Sequence, residues 1–107
     1  MKVANEPDLL SKTRAEHRAL AVLRSLKAMP AYRSNELVLG DLLDRLGITS
    51  THEEVRGCLR WLDDCAALTI DMQDTLMVVQ LTCRGGEASD GVIVIDGVRR
   101  PGPECPY

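Results

Sequence analysis

The chain has 107 residues, of which 45% are hydrophobic and 27% are charged, and its formal net charge is -3. These values predict one globular domain with a single hydrophobic core. The small negative net charge excludes a polycationic protein that coats nucleic acid, but it is compatible with a local basic surface. No apolar run approaches the roughly 18 residues of a membrane-spanning helix, and residues 1–7 lack the apolar stretch of a signal peptide. We therefore expect a cytoplasmic protein that contacts no membrane and keeps its cysteines reduced.

A long first helix is predicted from Asp8 to Met29, after a disordered leader at residues 1–7. Its apolar positions fall on one side of a helix that turns about 100° per residue. Pro30 ends this helix, because the residue before a proline is pushed out of the helical region. The apolar arc covers half of the circumference, which is more than a three-helix core needs and predicts a homodimer. The candidate interface residues are Leu9, Leu20 and Leu23.

A second helix is predicted up to Leu46, after a connector at residues 31–33. Ser34 or Asn35 is the expected N-cap, and Gly47 stands where a glycine commonly follows a helix. Leucines at i, i+3, i+4 and i+7 spacing form its buried stripe. These are Leu39, Leu42, Leu43 and Leu46.

A third helix follows after a tight turn at residues 48–50. It begins with two overlapping capping boxes, one pairing Ser50 with Glu53 and the other pairing Thr51 with Glu54. The helix is predicted to run to about residue 67.

Two strands are predicted next, at residues 68–72 and 75–82, and the short link between them makes them a hairpin. Trp61 is predicted to pack at the border between the third helix and this hairpin, with one edge of its ring in water.

The C-terminal quarter of the chain has weaker signals. Residues 83–98 are predicted to be an irregular extension or a short helix or strand, because Gly85 and Gly86 disfavour a helix and residues 92–95 are a possible strand. Residues 99–107 are predicted to be a proline-rich flexible tail.

The predicted order of elements is helix, helix, tight turn, helix and hairpin, which is the order of the winged helix-turn-helix. We therefore predict an α+β fold, mostly α. In it, residues 8–82 form a winged-helix domain of three helices plus a β-hairpin wing.

Three segments of the chain resemble a known family. Residues 50–62 resemble the third helix of small bacterial winged-helix proteins. The segments PAYRSNE at residues 30–36 and GVRRP at residues 97–101 are similar to parts of the small winged-helix proteins of Mu-like phages and prophages, which are loosely grouped with ArsR-like regulators. The resemblance implies a DNA-binding protein, a transcriptional regulator of phage type, and it brings no catalytic residue with it.

In a DNA-binding winged helix, the third helix enters the major groove. The outward face of the predicted third helix presents His52, Arg56 and Arg60, and arginine is the side chain that most often reads guanine. Three further basic residues extend this set of candidate DNA contacts: Arg33, Arg99 and Arg100.

The charge of the third helix favours a different interpretation. Residues 51–67 contain four acidic residues against two arginines, and phosphate contacts dominate affinity for DNA. Glu53 with Arg56, and Arg60 with Asp64, also have the spacing of helical ion pairs. The alternative hypothesis is a non-catalytic winged-helix module that binds protein. A continuous basic surface joining Arg33, Arg56, Arg60 and the tail would favour DNA, and a scattered one would favour protein.

The sequence contains no pattern of a catalytic or cofactor site. His17 and His52 are isolated, and no glycine-rich phosphate loop occurs. Cys58 and Cys65 share a helix face but lie ~10 Å apart along it, too far for one metal ion. We therefore predict neither enzymatic activity nor a cofactor nor a metal.

Overall fold

Four helices and a small three-stranded sheet make up the computed structural model, which describes residues 5–107. The elements in chain order are α1 (Asn5–Lys27), β1 (Arg33–Asn35), α2 (Glu36–Arg45), α3 (His52–Asp64), β2 (Leu68–Gln73), β3 (Leu76–Leu81) and α4 (Cys83–Ser89). The predicted α+β class, mostly α, is confirmed. The prediction of a disordered leader at residues 1–7 is wrong for residues 5–7, which are helical. Residues 1–4 lie outside the residues that the structure describes. None of the helices in the described range is long and apolar enough to cross a membrane.

The starts of α2 and α3 follow from their capping residues. The side chain of Asn35 accepts hydrogen bonds from the backbone N–H groups of Leu37 and Val38. At α3, Thr51 and Glu54 form the predicted capping box, in which each side chain accepts from the backbone of the other. These two caps fix where each helix begins.

The ends of α2, α3 and α4 share one backbone arrangement, the Schellman motif. In α3, the N–H of Ala67 donates to the carbonyl of Leu62 and the N–H of Ala66 donates to that of Asp63. The left-handed residue of this motif is Gly47 after α2 and Gly91 after α4, but it is Ala66 after α3, with φ 63°. An alanine in this conformation is strained, because its Cβ approaches the following carbonyl oxygen.

The sheet has three strands in the order β1-β3-β2, all antiparallel. The hairpin of β2 and β3 agrees with the prediction. The sequence predicts a connector at residues 31–33, whereas the structure makes Arg33 the first residue of β1, with Ser34 opposite Val79. A strand of three residues is too short to show the alternating pattern by which strands are predicted.

The second half of α1 is the centre of the core. Five consecutive residues, 19–23, are buried, which occurs when a helix is covered on all sides. Leu20 and Leu23 are 1% and 0% exposed, so neither side chain can contact a second copy. The prediction that these two residues form a dimer interface is therefore wrong. The physical reason is that α4 and the C-terminal segment cover the side of α1 that a three-helix core leaves open.

Residues 83–98 form a short helix followed by irregular chain, which agrees with one of the predicted forms. Residues 83–89 form α4, capped by Thr82, whose side chain accepts from the N–H of Gly85. Gly85 is required here because a Cβ would overlap the carbonyl oxygen of Ala67. Residues 92–95 form turns and bends rather than a strand.

The tail at residues 99–107 packs along α1 instead of extending freely. The N–H of Arg99 donates to the carbonyl of Glu16, at 3.1 Å. The Tyr107 hydroxyl lies 2.9 Å from Nδ1 of His17, and Arg24 donates to the Tyr107 carbonyl. These contacts join residues more than 80 positions apart, so no local pattern in the sequence could indicate them.

Replacing Ala66 with glycine tests the strain at the end of α3. We expect Ala66→Gly to raise the free energy of unfolding by about 1 kcal/mol, because glycine adopts the left-handed conformation without a Cβ clash. Gly47→Ala is the matched control and should lower it by a similar amount. Urea denaturation measures both changes. Two changes of the same sign would contradict this account.

Candidate functional site

A buried carboxylate joins the elements of the predicted recognition region. Glu36, the first residue of α2, has a side chain that is only 2% exposed. Its Oε1 accepts from Nε of Arg56, at 2.5 Å, and from Nε2 of His52, at 2.6 Å. Its Oε2 accepts from Nη2 of Arg56 and from the backbone N–H of Met77, both at 2.8 Å. One side chain of α2 is thereby bonded to α3 and to β3.

The electrostatics of this cluster follow from its hydrogen bonds. The Arg56 guanidinium, which binds both oxygens of Glu36, lowers the pKa of that carboxyl to about 2. Burial opposes this change, and the hydrogen bonds from Met77 and His52 reinforce it. The same contact raises the pKa of Arg56. Arg56 also donates to the carbonyl of Thr75, at 2.6 Å, which ties the hairpin turn to α3.

The structure therefore divides the predicted DNA contacts into groups. His52 and Arg56 lie together on Glu36, and Arg33 forms a separate ion pair with Asp71, at 3.2 Å. Arg60 is exposed, and within residues 5–107 its side chain has no hydrogen bond or ion pair.

The two tail arginines lie elsewhere, beside α1. Arg99 and Arg100 are exposed and line a cavity of about 280 Å³ together with His17 and Leu20. The six predicted contacts are thus scattered over several elements, and three of them are bonded to carboxylates.

A second cleft of about 280 Å³ lies between α2 and the start of α3. Its lining combines acidic, apolar and imidazole groups: Glu36, Leu37, Gly40, Asp41, Asp44, Ser50, His52 and Val55. Beside it, Leu37 is 60% exposed and Val38 is 40% exposed, although both are large apolar residues. We call the exposed surface made by Leu37, Val38, Asp41, Asp44, His52 and Glu53 the acidic face.

Each of the helices and strands around the acidic face has a net negative charge. Residues 36–45, 52–64 and 68–81 each contain two more acidic than basic residues. Residues 8–27, in α1, instead contain three more basic than acidic residues. Several of these bases are bonded within the chain: Arg18 donates to Ser50, and Arg24 donates to the carbonyl of Ser89.

Glu36 is the residue that sequence analysis missed. It was present only as the last letter of the PAYRSNE segment, and its partners lie 16, 20 and 41 positions away. An acidic residue directly after an N-cap is usually solvated. Nothing in the neighbouring sequence therefore indicates that Glu36 is buried against distant partners. Trp61 has a contact that the sequence did not predict, because Gly97 of the C-terminal segment packs on its ring, and the residue stays 36% exposed.

Removing the Glu36 charge should weaken the fold in a pH-dependent way. We expect Glu36→Gln to lower the free energy of unfolding by about 3 kcal/mol at neutral pH, because it leaves Arg56 without its buried partner. The pKa of Glu36 is about 2 in the fold against 4.5 ordinarily. Its contribution is therefore complete above pH 4.5 and is lost as the pH falls towards 2.

Denaturant unfolding of wild type and Glu36→Gln between pH 2 and pH 7 checks this. The difference between their free energies of unfolding should disappear at low pH. Glu87→Gln, at an exposed position, is the control and should change stability by less than about 0.5 kcal/mol. A difference in the free energy of unfolding that stays constant with pH would contradict the lowered pKa of Glu36.

Comparisons with known proteins place the chain in a family. No protein-family model matches it, and no solved structure matches it. It is 36% identical to the uncharacterized protein gp26 of Escherichia phage Mu over 90 residues, which are 84% of this chain and 93% of that protein. This likeness fits an origin in a Mu-like phage, and by its extent the chain belongs to the family of phage Mu gp26.

Proposed function

We propose that the chain is a winged-helix module that binds a protein partner through the acidic face. The observation that carries this proposal is that α2, α3 and the hairpin each have an excess of acidic residues while Leu37 and Val38 stand exposed among them. Apolar side chains surrounded by polar ones are typical of a protein-binding surface. Phosphate groups, in contrast, would be repelled there.

The order of elements supports the winged-helix part of the proposal. Helix α1, strand β1, helices α2 and α3 and the β2–β3 hairpin follow one another as this fold requires. The buried Glu36 supports it further, because Glu36 holds α2, α3 and the hairpin in one fixed arrangement. A rigid scaffold of this kind presents a surface with little loss of entropy on binding.

The chemistry of the acidic face selects a partner segment with basic and apolar side chains. Asp41 and Glu53 are exposed and would attract lysine or arginine, chiefly by accelerating association. Leu37 offers an apolar contact next to the cleft. An amphipathic helix with a basic side is one segment that meets both requirements.

Chemical-shift mapping tests the proposal with two defined probes. The ¹⁵N-labelled protein is titrated with a synthetic amphipathic peptide of leucine, lysine and arginine, and separately with a short DNA duplex at low salt. We expect the peptide to shift the amide signals of Leu37, Asp41 and His52, and the duplex to shift none. Asp41→Asn should weaken peptide binding about twofold, because it removes one exposed charge pair worth about 0.5 kcal/mol.

The matched control is Asp96→Asn, another exposed acid, in the C-terminal segment, which should leave peptide binding unchanged. Equal weakening by both variants would mean that only net charge matters and that the acidic face is not a docking site. Peptide shifts confined to another surface would also defeat the proposal.

DNA binding by a phage-type transcriptional regulator is the second candidate function. The observation that favours it is Arg60, which is exposed on α3 one turn beyond Arg56 and has no carboxylate partner within residues 5–107. An arginine placed in this way is free to reach a guanine edge if α3 enters the major groove.

A gel-shift series on DNA fragments at low and moderate salt tests this second candidate. If DNA is bound, Arg60→Ala should weaken binding by about 1–3 kcal/mol without changing stability. Arg56→Ala should mainly lower stability, because it leaves Glu36 buried and unpaired. No shift of any fragment by the wild type at low salt would remove this function.

A further inference from the structure

The connector between α1 and β1 holds two adjacent residues in an unusual backbone conformation. Ala31 and Tyr32 both have φ 57°, in the left-handed region, where the Cβ of a residue approaches the following carbonyl oxygen. A bulky residue is seldom found there, and glycine would make the same turn without strain. Residues held in such conformations cluster at binding and catalytic sites. The strain therefore directs attention to the side chain of Tyr32.

The fold holds Tyr32 in this conformation without burying it. The N–H of Tyr32 donates to the carbonyl of Met29, at 3.0 Å, and the side chain of Gln80 donates to the carbonyl of Ala31, at 3.3 Å. Strand pairing begins at the next residue, Arg33. Tyr32 nevertheless remains 53% exposed. Burial of the ring therefore does not offset the strain, which leaves contact with another molecule as its use.

Tyr32 lines a cleft of about 380 Å³ between the end of α1, the end of β3 and α4. We call it the Tyr32 cleft. Most of its surface is apolar, and its volume lies in the range of sites that hold organic groups. The lining residues that matter here are Lys27, Tyr32, Leu81, Gly86, Glu87 and Asp90.

The charges of the Tyr32 cleft favour a cation. Lys27 forms an ion pair with Asp90, so these two charges compensate each other. Glu87 is exposed, and within residues 5–107 its carboxylate has no ion pair. Arg84, one turn earlier on α4, donates instead to the carbonyl of Cys65, at 2.8 Å. The cleft is thus left with one uncompensated negative charge.

Arginine is the cation that matches the aromatic, acidic and apolar parts of this lining together. Its planar guanidinium stacks on aromatic rings and donates parallel hydrogen bonds to a carboxylate, and the ring face of tyrosine attracts cations. Its methylene stem packs on apolar surface, which Leu81 supplies here.

We propose that the Tyr32 cleft binds an arginine side chain of a protein partner, with the guanidinium on Tyr32 and Glu87 and the stem against Leu81. The rim residues Lys27, Glu87 and Asp90 are exposed, so the main chain of the partner stays outside while one side chain enters. The cleft shares no residue with the acidic face, and each of the two sites can therefore be refuted without the other.

An NMR titration with two matched peptides tests the proposal. The ¹⁵N-labelled protein is titrated with acetyl-Gly-Gly-Arg-Gly-Gly-amide, and separately with the same peptide containing citrulline, which has the shape of arginine without its charge. We expect the arginine peptide at millimolar concentration to shift the amide signals of Tyr32, Gly86 and Glu87, and the citrulline peptide to shift none. Methylguanidinium lacks the stem and should bind more weakly than the arginine peptide. Equal or tighter binding of methylguanidinium would assign the cleft to a small free cation and overturn the role of a protein partner.

Two variants test the contacts within the cleft. Tyr32→Asn should weaken binding of the arginine peptide by about two- to fivefold, because it removes one exposed cation–π contact. Asparagine tolerates the left-handed conformation, so this variant keeps the turn. Glu87→Gln should weaken binding about twofold, because it removes one exposed charge pair.

Glu104→Gln is the matched control, because Glu104 is an exposed acid outside the Tyr32 cleft. It should leave the affinity for the arginine peptide unchanged. Equal shifts with the arginine and citrulline peptides would overturn the proposal, and so would shifts confined to other residues or no shifts at all. An affinity that is unchanged in both Tyr32→Asn and Glu87→Gln would overturn it as well.

Discussion

The buried carboxylate of Glu36 is the group on which the arrangement of α2, α3 and the hairpin depends. It begins α2, and it accepts hydrogen bonds from two side chains of α3 and from the backbone of β3. Removing a charge from water costs several kcal/mol, and only a complete set of partners compensates for this. The cluster therefore tolerates one geometry, since any shift of α3 relative to the hairpin would leave a buried charge without its partners.

The second constraint is the burial of the second half of α1 on all sides. α4 and the tail cover the flank that α2 and α3 leave free, and Arg24 of α1 bonds both of them, at Ser89 and at Tyr107. Arg18 bonds Ser50 in the turn before α3. The GVRRP segment has a clear role in this packing. Gly97, with φ 97°, lies so close to Trp61 that a Cβ would stand 2.6 Å from the ring, and Pro101 packs against Gly91.

These two constraints also determine which charges reach the surface. Arg56 and Arg33 are bonded to carboxylates, and much of the positive charge of α1 holds the turn and the tail. Asp41, Asp44 and Glu53 instead remain exposed on the acidic face. A chain with a net charge of only -3 thereby acquires one distinctly acidic face. This uneven distribution of charge underlies the proposed protein partner.

The sequence by itself determined what depends on neighbouring residues. Asn35 as a cap, the Thr51–Glu54 capping box, Gly47 after α2 and the hairpin all follow from spacings of a few residues, and the structure has each of them. Tertiary structure alone decided what depends on residues far apart. The paired state of Arg56, the place of Trp61 under Gly97, the strand at residues 33–35 and the packing of the tail each need a partner distant in the chain. For this reason the sequence could name Arg56 and Leu20 as surface groups, although the fold uses one to hold Glu36 and buries the other in the core.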